Sequence, residues 1–188
     1  SDGKWRIMSC AFMTPGKRVD LTGRVLVALA RRHPRQAIAW THIGDGAARS
    51  QVDAEVRRLP ANVEVTLMGN LPHGAVLAHY ASQPVDLFVH LSAREGLPMS
   101  IQEALAHGVP VVACDVNGVA EAFDATCSQG ALLPVGAPLQ SAVAAVEGLL
   151  LAPPQERAAR RTRAWQHWQT HFDAQRNHAR LARLLSAL

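Results

Sequence analysis

The segment 92–103 joins a loop, a proline and a helical stretch in an order that could bind a phosphate. Pro98 lies near the predicted start of a helix, where its fixed φ is helical and its missing N–H needs no partner. The backbone N–H groups of Met99, Ser100 and Ile101 would then be free at the positive end of the helix dipole. The sequence therefore predicts that these N–H groups bind an anionic group.

Two carboxylates flank this helix start, Glu95 on the loop and Glu103 about one turn inside the helix. Placed beside a phosphate, they would repel it unless they bind something else. A carboxylate can accept two hydrogen bonds from neighbouring hydroxyl groups of a sugar. The pair therefore favours a ligand that carries both a phosphate and sugar hydroxyls.

Other polar or glycine-rich loops follow the earlier predicted strands. Lys17 and Arg18 place two positive charges beside a turn, the loop 44–46 contains Gly44 and Gly46, and the loop 69–72 contains Asn70 and Leu71. Taken singly, each loop is more typical of an ordinary turn or a solvated surface. Because ligands of an open parallel sheet bind beyond the carboxyl ends of its strands, the loops together favour a nucleotide-sugar site.

The elements that must position these loops alternate along the chain as short apolar runs and amphipathic stretches. They are strands over 6–11, 37–43, 63–68, 87–91 and 109–114, and helices over 19–33, 47–59, 73–82 and 99–107, with a mainly helical tail from 138 that breaks near 153–154 and 172–173. Strands separated by helices pair in parallel through right-handed crossovers. The strands read as apolar on both faces, so we predict an α/β fold with a Rossmann-like, doubly wound parallel sheet flanked by helices.

Composition narrows the class of protein. The 188 residues are 48% hydrophobic and 18% charged, which is ordinary for one soluble globular domain, and the net charge is +4. The basic clusters lack interleaved aromatic residues, which argues against nucleic acid as a partner. Three cysteines without metal-ligand spacing argue against a disulfide framework or a zinc site. The N-terminus lacks the apolar core of a signal peptide, which predicts a cytoplasmic location.

The stretch 86–121 resembles the most diagnostic segment of the group 1 glycosyltransferases, the retaining GT-B enzymes of family 4. It contains the E-x7-E pair of Glu95 and Glu103, the EG-x-P turn that begins at Glu95, and the EA-x-A-x-G-x-PV-x-A run over 103–113. The resemblance extends upstream through 67–69, 43–46 and 17–20, and downstream to about residue 150. It implies that 1–188 is a single C-terminal donor-binding domain of a GT-B enzyme, with 153–188 as a C-terminal helical segment.

The resemblance also implies residue roles. Lys17 and Glu95 would act in catalysis, Lys17 on the donor diphosphate together with the N–H groups near Met99 and Ser100. The remaining donor contacts would be Glu95 and the backbone of Gly96 and Leu97 on hexose hydroxyls, Glu103 on the ribose, and the backbone around Asn70 and Leu71 on the base. No metal or other cofactor is expected, because Lys17 and the helix dipole would stabilise the leaving diphosphate.

One departure from the family pattern lies after the first strand. Many members carry a glycine–arginine pair there, whereas this chain has Ala11 and Phe12. Either Arg18 supplies the second cation for the diphosphate, or Lys17 acts alone. His90, at the end of a predicted buried strand, either contacts the ligand or is a core histidine.

The resemblance implies that the chain transfers a sugar from a nucleotide-diphosphate sugar to an acceptor hydroxyl with retention, in polysaccharide or lipopolysaccharide synthesis. Its partners would be the donor, an N-terminal acceptor domain outside this sequence, and peripherally an anionic membrane at its inner face. By itself, the chain is expected to bind donor without turnover. The alternatives are a non-catalytic nucleotide- or sugar-binding module, or a GT-B phosphorylase or epimerase.

Overall fold

The computed structural model describes residues 2–186 and forms one parallel sheet with helices on both faces. The strands are β1 (Trp5–Cys10), β2 (Ile38–Ile43), β3 (Val63–Leu67), β4 (Leu87–His90), β5 (Val111–Asp115) and β6 (Gly130–Pro134). The helices are α1 (Val19–Arg32), α2 (Arg49–Val56), α3 (His73–Ser82), α4 (Met99–Ala106), α5 (Leu139–Leu151), α6 (Pro154–His171) and α7 (Ala174–Leu185). A 3₁₀ helix, Asn117–Ala122, follows β5.

The strand order is β3–β2–β1–β4–β5–β6, and every pairing in the sheet is parallel. After β3 the chain crosses back over the sheet to place β4 beside β1, so the direction of winding reverses between these two strands. The prediction of a doubly wound, Rossmann-like parallel sheet is confirmed. In such a sheet the loops that follow β1 and β4 border the crevice in which ligands bind.

Apolar residues form a core on each face of the sheet. On one face α1, α2 and α5 pack against the strands, with Leu26, Trp40 and Val146 fully buried. On the other face α3, α4 and α6 pack, and Phe88 and Ile101 are fully buried. Burial of a large apolar side chain contributes about 1.5–3 kcal/mol relative to exposure, so the two cores stabilise the packing of the helices on the sheet.

The expectation of strands that are apolar on both faces is wrong for β3. Its side chains alternate, with Glu64 and Thr66 exposed and the intervening Val63, Val65 and Leu67 partly buried. As the edge strand beside β2, β3 has one face that the helices do not fully cover. Alternation of this kind is typical of a strand with one solvated face.

The strand β6 was not predicted from the sequence. Its Ala131-Leu132-Leu133 centre is short and is enclosed by Gly130 and Pro134, residues that usually mark turns. The strand forms because it pairs with β5, from Val111 opposite Gly130 to Asp115 opposite Pro134. A Cβ atom on Gly130 would lie 1.8 Å from the Val111 carbonyl oxygen, so only glycine fits there without a shift of the backbone.

The tail consists of α5, α6 and α7, with the two breaks where they were predicted. Ala152 and Pro153 separate α5 from α6, which begins at Pro154, and Asp173 caps α7 by accepting a hydrogen bond from the Arg176 N–H. Residues 1, 187 and 188, which the single-domain prediction includes, lie outside the described residues. Over residues 2–186, no helix is both long enough and apolar enough to cross a membrane.

Candidate functional site

A cleft of about 440 Å³ opens at the carboxyl ends of the strands, where the sheet reverses direction between β1 and β4. It is lined by loop and helix residues from several strand ends. These residues are Cys10, Ala11, Phe12, Lys17, Ile43, Gly44, Asn70, Leu71, Val76, His90, Glu95, Pro98, Met99, Ser100 and Glu103. The position is the one that an open α/β sheet offers to a ligand.

Most residues predicted from the sequence lie in this lining, whereas five do not. The residues outside the lining are Arg18, Gly46, Gly96, Leu97 and Ile101. The predicted role of Gly96 and Leu97 rests on their backbone and stays a prediction. Gly46 packs against the backbone of the loop after β1, since a Cβ atom on it would lie 2.6 Å from the Met13 carbonyl oxygen.

Glu95 is the most closely held acid of the cleft. Lys17 Nζ donates to both of its carboxylate oxygens at 2.7 Å, and His90 Nε2 lies 2.6 Å from Oε1. Only 5% of the Glu95 side chain is exposed. Burial by itself raises the pKa of Glu95, but the hydrogen bonds from His90 and Lys17 outweigh it and lower the pKa to about 2. Glu95 is therefore a carboxylate at neutral pH.

The helix α4 begins at Met99, and its N-terminus opens into the cleft. Pro98 is the residue before the helix rather than its first residue, with an extended backbone. The Ile101 N–H donates to the Pro98 carbonyl oxygen at 3.2 Å, so the prediction of a free N–H at Ile101 is wrong. Met99 and Ser100 precede that bond and line the cleft, which leaves their N–H groups as the ones placed for an anion.

Glu103 lies on α4 and also faces the cleft. Its side chain is 13% exposed, and Oε1 is 3.0 Å from His73 Nε2 at the start of α3. The two acids of the E-x7-E pair therefore line one cleft rather than unrelated surfaces. Glu95 lies beside the only lysine of the lining, and Glu103 lies on the side toward α3.

The loops after β2 and β3 are tied together at the far side of the cleft. The Gly44 N–H donates to the Gly69 carbonyl oxygen at 2.8 Å, and the Asp45 N–H donates to Asn70 Oδ1 at 2.9 Å. Gly44 has a φ of 132°, and a Cβ atom there would lie 2.0 Å from the Ala11 carbonyl oxygen. Glycine is thus required where the loops after β1 and β2 approach each other.

Arg18 points away from the cleft. Its Nε donates to the Leu91 carbonyl oxygen at 2.7 Å, and its Nη2 lies 3.3 Å from the Ser92 carbonyl oxygen and 3.2 Å from Cys114 Sγ. Of the two cations predicted to bind the diphosphate, the structure therefore brings only Lys17 to the cleft. The guanidinium group of Arg18 instead contacts the loop that leads to Glu95.

Sequence reasoning did not assign several lining residues. Phe12 is 66% exposed at the cleft, and its position directly after β1 was the available signal. Cys10 also lines the cleft, and burial, together with the charge of Glu103, raises the pKa of its thiol to about 11. In the described part of the chain, no group of three or more His, Cys, Asp or Glu side chains is placed to bind a metal ion.

Comparisons with known proteins agree with this architecture. The family model described as glycosyl transferases group 1 matches residues 1–166. A GDP-mannose-dependent alpha-mannosyltransferase from Mycolicibacterium smegmatis is 34% identical over 134 residues, which are 71% of this chain and 32% of that relative. The chain thus spans about a third of the length of the relative.

Solved structures share the fold at low sequence identity. A pneumococcal O-GlcNAc transferase in complex with UDP and GlcNAc matches with a TM-score of 0.69 and 15% identity, over 89% of this chain and 32% of that one. An alpha,alpha-trehalose-phosphate synthase (UDP-forming) from Burkholderia vietnamiensis matches with a TM-score of 0.76 and 14% identity, over 98% and 46%. The fold is that of GT-B glycosyltransferases, and with the family model covering most of its length, this chain belongs to the group 1 glycosyl transferases.

Proposed function

We propose that this chain is the donor-binding part of a retaining glycosyltransferase that uses a nucleotide-diphosphate sugar. The observation that carries the proposal is the convergence of Lys17, Glu95, Glu103 and the N-terminus of α4 in one cleft at the switch point of the sheet. A cation and free N–H groups suit a diphosphate, whereas carboxylates suit hydroxyl groups. A nucleotide sugar carries both kinds of group.

Lys17 and the N–H groups of Met99 and Ser100 bind the diphosphate in this proposal. The ammonium group of Lys17 already lies against the Glu95 carboxylate, so it offsets the repulsion between that acid and a neighbouring phosphate. Glu95 then accepts hydrogen bonds from hexose hydroxyls, with the backbone of Gly96 and Leu97 beside it. Glu103 accepts hydrogen bonds from the ribose.

The base lies against the backbone around Asn70 and Leu71, beyond Glu103. Backbone groups that contact a base can belong to any residue type, so no sequence motif identifies the base. The identity of the base is therefore proposed from relatives. The mycobacterial relative is GDP-mannose-dependent, and the pneumococcal structure contains UDP. We therefore place GDP-mannose first among the donors to be tested and UDP-sugars second.

Transfer breaks the bond between the anomeric carbon and the diphosphate and forms a bond to the acceptor oxygen on the same face. The acceptor hydroxyl gives its proton to an oxygen of the departing diphosphate, so no protein base is required. Glu95, hydrogen-bonded by Lys17 and His90, binds hexose hydroxyls in this proposal and is not assigned as a nucleophile. Lys17 and the α4 dipole stabilise the negative charge that develops on the leaving diphosphate, and no metal is invoked.

In this proposal the acceptor binds to a second domain, which would lie N-terminal to this one in a full-length enzyme. The isolated chain therefore binds donor without turning it over. We place the enzyme in the cytoplasm, at the inner face of the membrane, in the synthesis of a cell-surface polysaccharide or lipopolysaccharide. The basic surface of the chain, with a net charge of +4, suits peripheral contact with anionic lipid.

Calorimetric titration of the chain with GDP, UDP, ADP and their hexose conjugates tests the proposal. We expect one nucleotide family to bind, and Glu103→Gln and Lys17→Ala each to weaken it roughly 10- to 100-fold, as expected for a lost hydrogen bond to a charged group. Glu156→Gln, on the exposed surface of α6, is the matched control and should bind as the wild type does. Failure of the wild-type chain to bind any of the nucleotides or their sugars would overturn the proposal.

A further inference from the structure

Glu95 lies in the middle of a loop between β4 and α4, residues 91–98, which we call the Glu95 loop. One side of this loop contacts the start of α1. Arg18 donates to the carbonyl oxygens of Leu91 and Ser92, and the Ala93 N–H and Ser92 Oγ both donate to the Gly16 carbonyl oxygen, at 2.8 and 3.1 Å. The loop that follows β1 and the loop that follows β4 are thereby joined beneath the Lys17–Glu95 ion pair.

The opposite side of the Glu95 loop contacts the 3₁₀ helix that follows β5. Asn117 Nδ2 donates to the carbonyl oxygen of Glu95 itself at 2.6 Å. The next residue, Gly118, packs so closely that a Cβ atom on it would lie 2.9 Å from the Gly96 carbonyl oxygen. The backbone of Glu95 and Gly96 is therefore supported from this side by one side-chain amide and one close backbone contact.

Both residues that make these side-chain contacts adopt a left-handed backbone. Arg18 has a φ of 47° and Asn117 a φ of 46°, and they are two of the three non-glycine residues with positive φ in residues 2–186. This conformation costs roughly 1–2 kcal/mol for an ordinary residue, less for asparagine. Such strain persists where surrounding contacts over-determine it, and it clusters at functional sites. A glycine would adopt it freely but would lack the side chain that reaches the loop.

We propose that Arg18 and Asn117 are positioning residues that hold the Glu95 loop from its two sides, so that Glu95 and the Gly96 backbone face the donor hexose. The inference rests on the proposed function and changes the role predicted for Arg18. Its charge is directed at backbone carbonyl groups of the loop and not at the diphosphate. Specificity for the sugar therefore depends on two residues that do not contact the donor.

The two roles for Arg18 predict different losses. Loss of a residue that contacts the diphosphate should weaken binding of the nucleoside diphosphate and of its sugar conjugate alike. Loss of a positioning residue should reduce only the part of the affinity that the hexose adds. That part is the ratio of the Kd of the nucleoside diphosphate to the Kd of its hexose conjugate. The probes are GDP with GDP-mannose, UDP with UDP-glucose and ADP with ADP-glucose, titrated into the chain by calorimetry, and the pair that binds the wild type is used.

Arg18→Lys keeps the charge but removes the planar group that contacts two carbonyl oxygens and Cys114. Asn117→Gly removes the amide and adopts the left-handed backbone without strain. For each variant we expect the Kd ratio to fall roughly tenfold, because one hydrogen bond to a charged or buried group is lost. The Kd of the nucleoside diphosphate should change less than about threefold.

Arg31→Lys, exposed in the last turn of α1, is the matched control and should leave both constants unchanged. Equal weakening of the diphosphate and the conjugate by Arg18→Lys would overturn the positioning role in favour of a phosphate contact. An unchanged ratio in both variants would overturn it as well. If the wild-type chain binds none of the six probes, the donor-site proposal fails instead, and that result is distinct from either outcome.

Discussion

At the scale of single residues, the cleft depends on a carboxylate that stays ionised although it is buried. Glu95 would be costly to bury alone, since an unpaired charge in an apolar interior loses its hydration. Lys17 and His90 compensate that loss by direct hydrogen bonds, which lower the pKa of Glu95 to about 2. At neutral pH Glu95 is therefore an acceptor of hydrogen bonds and does not act as an acid.

A second buried polar group lies behind the cleft, at the ends of β1 and β2. Trp40 Nε1 donates to Ser9 Oγ at 2.9 Å, and Ser9 Oγ is 2.8 Å from His42 Nδ1. The His42 ring is fully buried, and its interaction with the backbone of Ala11 only partly opposes the effect of burial on its pKa. Burial lowers the pKa of His42 from 6.5 to about 4, so this histidine is neutral at physiological pH.

The buried His42 predicts a loss of stability in mild acid. Because its pKa is lower in the folded chain, the unfolded chain takes up the proton first as the pH falls. The contribution of neutral His42 to the free energy of unfolding is complete above pH 6.5. It is lost progressively as the pH falls toward 4, by up to about 3 kcal/mol. In His42→Asn this part of the pH dependence should disappear.

Urea unfolding of the wild type and His42→Asn at several pH values between 7 and 4 measures the difference. The quantity to compare is the slope of the free energy of unfolding against pH, because the substitution also changes the stability at pH 7. His178→Asn, on the exposed surface of α7, controls for the loss of a titratable histidine. Parallel curves for the wild type and His42→Asn would contradict the assignment of His42 as a neutral buried group.

At the scale of elements, α4 depends both on a local sequence signal, which sets its start, and on packing, which sets its orientation. Pro98 ends the extended loop, and α4 begins at the next residue. Ile101 and Leu105 then bury their side chains in the second core, which fixes the helix axis against the sheet. The free N-terminal N–H groups are thus presented by a helix that packing holds in place.

The strand β6 gives a test of element formation. In Gly130→Ala the new Cβ atom would lie 1.8 Å from the Val111 carbonyl oxygen, so the β5–β6 pairing must shift. We expect the free energy of unfolding to fall by roughly 1–3 kcal/mol. The free energy of unfolding in urea is the measurement.

Gly148→Ala is the matched control for this strand substitution. Gly148 lies on the exposed face of α5, with no atom within 4 Å of the position a Cβ would take. Alanine should raise the stability there by up to about 1 kcal/mol, because it favours a helix more than glycine does. Equal effects of the two substitutions would show that β6 does not constrain Gly130.

At the scale of the whole molecule, the helices contribute unequally to the two cores, and the last helix contributes least. The helix α7 has no buried residue, and Leu181, Leu184 and Leu185 are each more than half exposed. Helices α1 and α5, in contrast, each contribute several buried side chains to the first core. Stability of this chain should therefore depend on α5 and very little on the leucines of α7.

Leu184→Gln and Leu150→Gln make a matched pair for that expectation. Leu184 is 59% exposed, so the first variant should change the free energy of unfolding by less than about 0.5 kcal/mol. Leu150 is 4% exposed in the first core, so the second should lose about 3 kcal/mol or more. A large loss in Leu184→Gln would mean that the leucine face is covered when the chain folds.

The sequence by itself determined the parallel α/β class, the bounds of most helices and strands to within about three residues, and the segments that meet at the cleft. These features depend on local spacing, on proline and glycine at element ends, and on the rule that parallel strands end at one edge. The breaks at 153–154 and 172–173 belong to the same class of local signal. The family resemblance carried by 86–121 is confirmed for the same reason, since its motif is contiguous.

The tertiary structure decided which way individual side chains point and which backbone groups they satisfy. Lys17 and Arg18 are adjacent and carry the same charge, yet one lines the cleft and the other contacts the Glu95 loop. The pairing of Asn117 with Glu95, and of β6 with β5, joins segments whose local sequence carries no signal for it. Contacts between distant segments depend on the crossing of the chain over the sheet, and local periodicity does not encode that geometry.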